Sequence, residues 1–179
     1  MRKKLLLCAA LLAATTLTWA GKAHLTHIKG NQAAGVRYGV GTKNKYDVGI
    51  TYSYCFGNQY TFTCEVDHEE AVFGYSDFTN SILVSPCLEF DSWQPAKWLY
   101  LEGGGGPAVG YDKWSCNLPG VNDSEEGIVY GAQIGIGLEF YPTSSVSILL
   151  KGQQYLLFGN DDQYLKPNFS IGLRYNFHL

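Results

Sequence analysis

The feature that most constrains this chain is an unbroken alternation of apolar and polar side chains between residues 46 and 56. The apolar positions of this run are Tyr46, Val48, Ile50, Tyr52, Tyr54 and Phe56. Successive side chains of a β-strand point to opposite faces of the sheet, so a spacing of two predicts a strand with one apolar face. Two later segments, 128–140 and 169–177, alternate in the same way. The chain is therefore expected to be all-β.

The same pattern, followed along the whole chain, marks eight strands. They are expected at 35–42, 46–56, 59–70, 79–90, 97–112, 128–141, 144–158 and 167–177. Most of these segments are long enough to cross a membrane when tilted. The pattern predicts an eight-stranded antiparallel up-and-down transmembrane β-barrel of the outer membrane.

The connections between the expected strands alternate in length. Tight turns are expected at 57–58, 91–96 and 142–143, and longer loops at 71–78, 113–127 and 159–166. Outer-membrane barrels place short turns in the periplasm and long loops outside the cell. Both chain termini are therefore expected on the periplasmic side.

Aromatic residues gather where the two membrane interfaces would lie, as in the girdles of outer-membrane barrels. The expected periplasmic girdle contains Phe56, Tyr60, Phe90, Trp98, Phe140, Tyr141, Tyr175 and Phe177, and the outer girdle contains Tyr46, Phe73, Phe78, Tyr130 and Phe158. The strands follow from alternation and not from the clustering of aromatic residues at the two ends, so this clustering is additional support for the barrel.

The first twenty residues have the composition of an export signal. Three cations at positions 2–4 precede an apolar run at 5–17, which is too short to span a bilayer, and small residues follow up to Ala20. We expect cleavage near Ala20 and delivery to the outer membrane of a Gram-negative bacterium. The expected domains are a signal peptide at 1–20, a periplasmic lead at 21–34 and a β-barrel at 35–179.

Composition narrows the class of protein further. The chain contains 21 Gly, 13 Tyr and 9 Phe, and after the signal it has no apolar run of helical membrane length. Of its 13 basic residues the signal holds three, which leaves ten against 16 acidic residues. This acidic balance and the lack of a basic patch argue against direct binding of nucleic acid.

A soluble β-sandwich or lipocalin-like barrel is the alternative fold, since it would alternate as well. The broad apolar face argues against it, because a soluble protein exposing that face would carry an oversized apolar patch. The C-terminal octet 170–177 also favours the membrane barrel. Its polar, glycine and two aromatic positions, Ser170, Gly172, Tyr175 and Phe177, resemble the signal read by the outer-membrane barrel assembly machinery. Two further residues follow Phe177, whereas such barrels usually end on the aromatic residue.

If the apolar face contacts lipid, the opposite face fills a lumen that is too narrow for an aqueous channel at eight strands. The charged residues of that face are expected to be Arg37, Glu65, Asp67, Glu89, Glu102, Glu139, Lys151 and Arg174. Buried charges are normally paired. We interpret this set as a structural ion-pair network, with a proton or ion pathway as the alternative.

Motifs that would carry chemistry are weak. The glycines at 103–106 lack the Lys-Ser/Thr ending of a phosphate loop, and the acidic residues at 122–126 lack the spacing of a calcium loop. His68, beside Glu69 and Glu70, is the only histidine placed for catalysis in a lipid-modifying enzyme, but no compact nucleophilic motif accompanies it. No catalytic residue, cofactor or metal is expected.

Four cysteines remain after the signal: Cys55, Cys64, Cys87 and Cys116. An even number in an oxidising compartment raises the question of disulfides. Strand parity places Cys64 toward lipid and Cys87 inward, so these two should not meet. Cys55 and Cys87 both point inward, which leaves a bridge across the lumen open, and Cys116 lies alone in the longest loop.

The chain resembles the TraO family, small outer-membrane proteins encoded on conjugative transposons. The resemblance is strongest at Tyr130, Gly131, Ala132, Gly137, Glu139, Tyr141, Leu150, Gly152, Phe158, Gly159, Pro167, Gly172, Leu173, Arg174, Tyr175 and Phe177. Weaker similarity at 109–111 and in the second strand extends it back to Gly35. These markers are mostly barrel glycines and aromatic residues, and they bring no catalytic residues with them.

The resemblance implies a non-enzymatic outer-membrane component of the mating apparatus. Its expected partners are outer-membrane lipid, the barrel assembly machinery and other transfer proteins, with no direct contact to nucleic acid. A surface adhesion or recognition barrel similar to OmpX, acting through Trp114 and Cys116 in the 113–127 loop, is the alternative. A lipid-modifying enzyme using His68 is the third hypothesis.

Overall fold

A computed structural model describes residues 27–41, 46–57, 59–73, 77–96, 98–118, 121–159 and 162–178. The expected signal peptide at 1–20 and residues 21–26 of the expected lead lie outside this part of the chain. The eight strands are β1 (Asn31–Gly41), β2 (Tyr46–Cys55), β3 (Tyr60–Phe73), β4 (Asp77–Ala96), β5 (Leu99–Leu118), β6 (Val121–Phe140), β7 (Val146–Gly159) and β8 (Asp162–His178).

The strands form one closed antiparallel barrel in which each strand pairs with the next along the chain. Closure is made by β1 and β8, with eleven residue pairs from Asn31 opposite His178 to Gly41 opposite Asn168. Because each of the described strands has two hydrogen-bonded neighbours, the sheet that they form has no open edge. This confirms the predicted eight-stranded up-and-down barrel. No helix among the described residues is long and apolar enough to cross a membrane.

Alternation along each strand separates an apolar outer surface from a polar lumen. In β2 every second side chain, from Tyr46 to Tyr54, is exposed on the outside, and the side chains between them are buried inside. The outer surface is apolar at mid-height, with Ile134 and Phe169 as examples at 67% and 68% exposure. A surface of this kind fits a hydrocarbon environment and not water.

Two connections differ from the sequence-based prediction. The expected turn at 91–96 belongs to β4, which continues to Ala96 with register shifts between Asp91 and Trp93 and between Trp93 and Ala96. The expected loop at 113–127 belongs almost entirely to a hairpin, in which Lys113 pairs with Glu126 and Leu118 with Val121. In such an extension neither face is buried against a core, so the sequence shows no alternation that would reveal strands.

The starts of the strands also shift. β1 begins at Asn31, before the expected barrel start at residue 35. β4 begins at Asp77, inside the expected loop at 71–78. β8 begins at Asp162, inside the expected loop at 159–166. The barrel therefore takes in more of the chain than alternation alone indicated.

The upper rim of the barrel is uneven. On one side β1 and β2 stop at the pair Val40 and Tyr46, whereas β5 and β6 continue to the pair Leu118 and Val121. The β6 and β7 ladder stops at Tyr130 opposite Phe158. The segment formed by 113–118 and 121–126, named the tall hairpin below, therefore extends past β7, while on its other side β4 stays paired with it up to Asp77 opposite Cys116.

The lower girdle has one correction. Phe56, Tyr60 and Phe90 lie on the outside with successive ring centroids 5.9 and 6.1 Å apart, as expected for a girdle. Tyr141, which was assigned to the same girdle, is only 2% exposed and its ring packs inside the barrel against Tyr100. Tyr141 continues the inward positions of Glu139 and Gly137 in β6, so alternation places it inside, and its position near the strand end alone was not enough to assign it to the girdle.

Candidate functional site

The lumen is the most organised polar region among the described residues. All eight charged residues that were assigned to it are buried, and none is more than 6% exposed. Inward glycines leave room for their long side chains. A Cβ at Gly49 would collide with the carboxylate of Asp67, and one at Gly137 would lie 2.7 Å from Glu102 Oε1. The strands therefore supply space as well as charge.

Lys151 forms the centre of the network. Its ammonium nitrogen donates to Glu65 Oε1 at 2.5 Å and to Glu89 Oε1 at 2.6 Å. The other oxygen of Glu65 accepts from Gln153 Nε2 at 2.7 Å, and the other oxygen of Glu89 accepts from Thr63 Oγ1 at 2.5 Å. Strands β3, β4 and β7 are thereby tied together across the lumen.

Arg37 forms the upper layer of the network. Its guanidinium meets Asp67 through two atoms, Nε at 2.7 Å and Nη2 at 2.6 Å, which is the bidentate geometry that arginine favours. Nη2 also donates to Asp47 at 2.9 Å. Above this layer Lys166 pairs with Glu69. Asp47, Lys166 and Glu69 were not assigned to the network from the sequence, although their inward parity could have revealed them.

Arg174 forms the lower layer. Its terminal nitrogens lie 3.5 Å from Glu89, 3.7 Å from Glu102 and 3.5 Å from Glu139. Glu139 also accepts a hydrogen bond from Ser147 Oγ at 2.6 Å. One guanidinium thus serves three carboxylates at ion-pair distance, which places more negative than positive charge at this end of the lumen.

A fourth layer closes the lower end of the barrel, the end expected to face the periplasm, and was not expected from the sequence. His27, from the segment before β1, inserts between Asp91 and Glu139, with its two ring nitrogens 2.6 Å and 3.0 Å from the respective carboxylates. The imidazole stacks on Tyr100 with ring centroids 4.2 Å apart. No sequence pattern marks such a residue, because it lies outside every strand.

This arrangement binds strands together. Each cation described in the lumen lies at ion-pair distance from at least one carboxylate, and desolvation makes these pairs costly to break. Among the described residues no group of three or more His, Cys, Asp or Glu side chains could hold a metal ion.

His68, the residue assigned to the enzyme hypothesis, points away from the lumen. Its side chain is exposed on the outside of β3, opposite Val48 on one side and Ile82 on the other. Of the two acidic residues that follow it in the sequence, Glu69 points in the opposite direction and is buried in the lumen. His68 therefore has apolar neighbours on the adjacent strands and no described carboxylate there to orient it.

The cysteines are separated as strand parity indicated. Cys55 and Cys87 are buried and Cys64 is half-buried, and all three thiols are free. Cys55 lies beside Thr61 of β3 and Cys87 lies beside Thr63, so a whole strand separates the two inward thiols. The bridge across the lumen that was left open does not form. The side chain of Cys116 lies outside the described residues.

The four positions of the C-terminal octet lie where β8 closes the barrel. Ser170 and Gly172 point inward, and Arg37 contacts Ser170 Oγ at 3.4 Å. Tyr175 and Phe177 lie on the opposite face, with ring centroids 6.4 Å apart, and Tyr175 is 59% exposed. The two aromatic rings thus form one outward pair at the periplasmic end of the last strand.

With the barrel and its lumen described, comparison with known sequences identifies the family. A sequence profile described as conjugative transposon protein TraO matches residues 22–177. The chain belongs to the TraO family. No curated protein matches the TraO-family chain significantly.

Solved structures similar to this TraO-family barrel share its fold. The N-terminal β-barrel domain of Pseudomonas aeruginosa OprF has a TM-score of 0.64 at 14% identity, over 83% of this chain and 98% of that chain. Yersinia pestis Ail, crystallised with the heparin analogue sucrose octasulfate, has a TM-score of 0.60 at 18% identity, over 84% of this chain and 100% of that chain. Pseudomonas aeruginosa OprG has a TM-score of 0.59 at 12% identity, over 86% of this chain and 99% of that chain. At these identities the likeness concerns the fold alone.

Proposed function

We propose that this TraO-family protein is a non-enzymatic component of a conjugative-transposon transfer apparatus, embedded in the outer membrane of a Gram-negative bacterium. The observation that carries the proposal is the match to TraO over nearly the whole barrel. Its partners are outer-membrane lipid, the barrel assembly machinery during insertion, and other transfer proteins. The segment ending near Ala20 directs export and is then cleaved from the mature protein.

The barrel surface supports the membrane location. Large apolar side chains are exposed around the wall, and aromatic pairs lie near both ends, such as Trp98 with Phe140 below and Tyr130 with Phe158 above. An apolar band between aromatic girdles is the arrangement that outer-membrane barrels present to lipid.

The lumen supports a role in assembly rather than in chemistry. The charged side chains described there form ion pairs with one another, such as Lys151 with Glu65 and Glu89. His68 lies outside, on the apolar wall. A catalytic histidine typically contributes about 100-fold or more to a rate. A protein that works through its position and contacts should tolerate the loss of this side chain.

Deletion of the gene from its element, followed by complementation, tests the proposal. We expect transfer from the donor to fall on deletion and to return with the wild-type gene and with His68→Ala. Mating frequency and outer-membrane protein level are measured together. Loss of transfer with abundant, correctly located His68→Ala protein would reopen the enzyme hypothesis, and full transfer without the gene would remove the protein from the apparatus.

The tall hairpin favours a second function, recognition at the cell surface. It continues the paired strands past Gly127, well above the β6 and β7 ladder, and Trp114 on it is half-buried. Replacing 113–126 by a two-residue turn between Asp112 and Gly127, which face each other, should leave the barrel folded. Transfer that persists in this variant while cell-to-cell adhesion disappears would favour the recognition function.

A further inference from the structure

The histidine at the periplasmic end is held on several sides. His27 Nδ1 lies 2.6 Å from Asp91 of β4, and Nε2 lies 3.0 Å from Glu139 of β6 and 2.7 Å from the hydroxyl of Tyr141. The ring stacks on Tyr100 at 4.2 Å and meets Tyr141 edge-on at 5.5 Å. The His27 side chain is 8% exposed.

These contacts select one chemical form of the ring. A neutral imidazole has one N–H donor and one acceptor nitrogen, whereas an imidazolium donates from both nitrogens. Both nitrogens of His27 face carboxylates, which only accept when ionised, so only the imidazolium can donate to Asp91 and Glu139 at once. A neutral ring that accepts from the Tyr141 hydroxyl at Nε2 would leave Glu139 without this donor. Stacking on an aromatic ring adds an attraction specific to a cation.

The neighbouring charges favour the same form. The thiol of Cys55 in β2 and the carboxylates of Asp91 in β4 and Glu139 in β6 lie near the ring, and Arg174 of β8 is the nearby cation, in contact with Glu139. Burial lowers the pKa of His27, but Asp91 and Glu139 outweigh it and hold that pKa well above 6.5.

We propose that Asp91, Glu139, Tyr100 and Tyr141 form a binding site for an imidazolium ion, and that the protein fills this site with its own His27 to fasten the N-terminal segment across the periplasmic end of the barrel. The site does not depend on the proposed role in transfer. We name it the imidazolium site.

The backbone around His27 completes the fastening. Gly30 has a φ of 90°, a conformation that favours glycine, and its N–H donates to the carbonyl of Cys55 at 2.7 Å. The N–H of Asn31 donates to the carbonyl of Ile28 at 3.0 Å. This tight turn directs the chain from the start of β1 back under the lumen, so the ring of His27 determines whether segment 27–30 stays there.

Replacing the ring and returning it as a small molecule tests the site. In the full mature chain folded in detergent micelles, His27→Ala should unfold about tenfold faster or more, since hydrogen bonds to charged groups are worth about 1.5–3 kcal/mol. Imidazole hydrochloride at pH 6 should slow unfolding of His27→Ala saturably, and sodium chloride at equal ionic strength should not.

Two controls make the rescue specific. Imidazole should not slow unfolding of the double variant His27→Ala with Glu139→Gln, because one carboxylate of the site is lost. His68→Ala, which removes an exposed histidine, should unfold at the wild-type rate with and without imidazole. A His27→Ala protein that unfolds normally, or one that sodium chloride rescues equally well, would overturn the proposal.

A second measurement on the wild-type protein applies even if His27→Ala does not fold. The imidazole ¹³C and ¹⁵N resonances of His27, assigned by removing the other histidines, should show both nitrogens protonated at pH 7.5. A raised pKa means that the fastening is complete below about pH 6.5 and is lost as the pH rises through the higher value. The protection of the Gly30 and Asn31 amides against exchange, measured relative to the intrinsic base-catalysed rate at each pH, should therefore fall in alkali. A neutral ring at pH 7.5 would overturn the proposal.

Discussion

Lys151 holds two carboxylates together at the centre of the lumen, and its removal would leave Glu65 without its ammonium partner and Glu89 with Arg174 alone, at 3.5 Å. Breaking a buried ion pair from one side costs about 3–5 kcal/mol, because the remaining charge stays desolvated. We therefore expect Lys151→Met to lower the free energy of unfolding by about that amount. Urea unfolding in detergent micelles, followed by tryptophan fluorescence, measures the change.

The matched control for Lys151 is Lys113 on the tall hairpin. Its ammonium lies 3.5 Å from Glu126, and both side chains are more than half exposed. Exposed pairs contribute about 0–1 kcal/mol, so Lys113→Met should leave the unfolding curve nearly unchanged. Equal losses in the two variants would show that the lumen charges do not stabilise the barrel as a network.

Tyr52 tests the outward face at the level of a single residue. It is 44% exposed on β2, and the next residue, Ser53, is 3% exposed with its hydroxyl 2.9 Å from Thr63 Oγ1. Arginine on the lipid face costs about 2–4 kcal/mol near the bilayer midplane. Tyr52→Arg should therefore be destabilised by about that amount in lipid vesicles, while Tyr52→Phe should lose no more than the hydrogen bond to Gln32. A well-tolerated arginine would mean that this face does not contact lipid.

At the scale of the element, β8 closes the barrel and carries the octet that we propose as an assembly signal. Tyr175 and Phe177 form its outward aromatic pair. Changing both to Ala should deplete the protein from the outer membrane and so abolish transfer. Changing Leu165 and Phe169 to Ala removes apolar surface of the same strand outside the octet, since these residues are 67% and 68% exposed. Membrane-fraction immunoblots should show depletion in the first variant only, and equal depletion would mean that the octet carries no special signal.

Alternation predicted the elements wherever one face meets lipid and the other meets the lumen. β2 is the clearest case, because its apolar run coincides with the strand from Tyr46 to Cys55. The prediction failed at 91–96 and 113–127 because the physical cause of alternation is absent there. A strand that rises into water, or that carries a register shift, has no reason to alternate.

The charged residues of the lumen could be predicted from the sequence to the same extent as the strands, and for the same reason. Arg37, Lys151 and Arg174 could be assigned to the lumen because parity determines the direction of a strand side chain. The partners across the barrel could not be assigned, since Lys151 and Glu65 are 86 positions apart and meet only after closure. His27 lies outside all strands, so parity gave no information about it.

At the scale of the whole molecule, closure makes the barrel a single cooperative unit. Every strand has two hydrogen-bonded neighbours, and ion pairs cross the interior. We expect the mature protein to fractionate with outer membranes and to migrate on unboiled gels as a compact species that shifts on heating. Recovery of the protein in the soluble periplasmic fraction would contradict the membrane location.

The crowded interior has a consequence for how a transferred molecule could leave the cell. Every strand contributes at least one buried charged side chain, in chain order Arg37, Asp47, Glu65, Glu89, Glu102, Glu139, Lys151 and Arg174. A barrel of eight strands is only wide enough to be filled by such side chains. A DNA strand threading it would have to displace these pairs and pass carboxylates of its own sign. If the protein serves the transfer apparatus as proposed, DNA does not pass through this lumen, and any conduit for DNA runs beside the barrel.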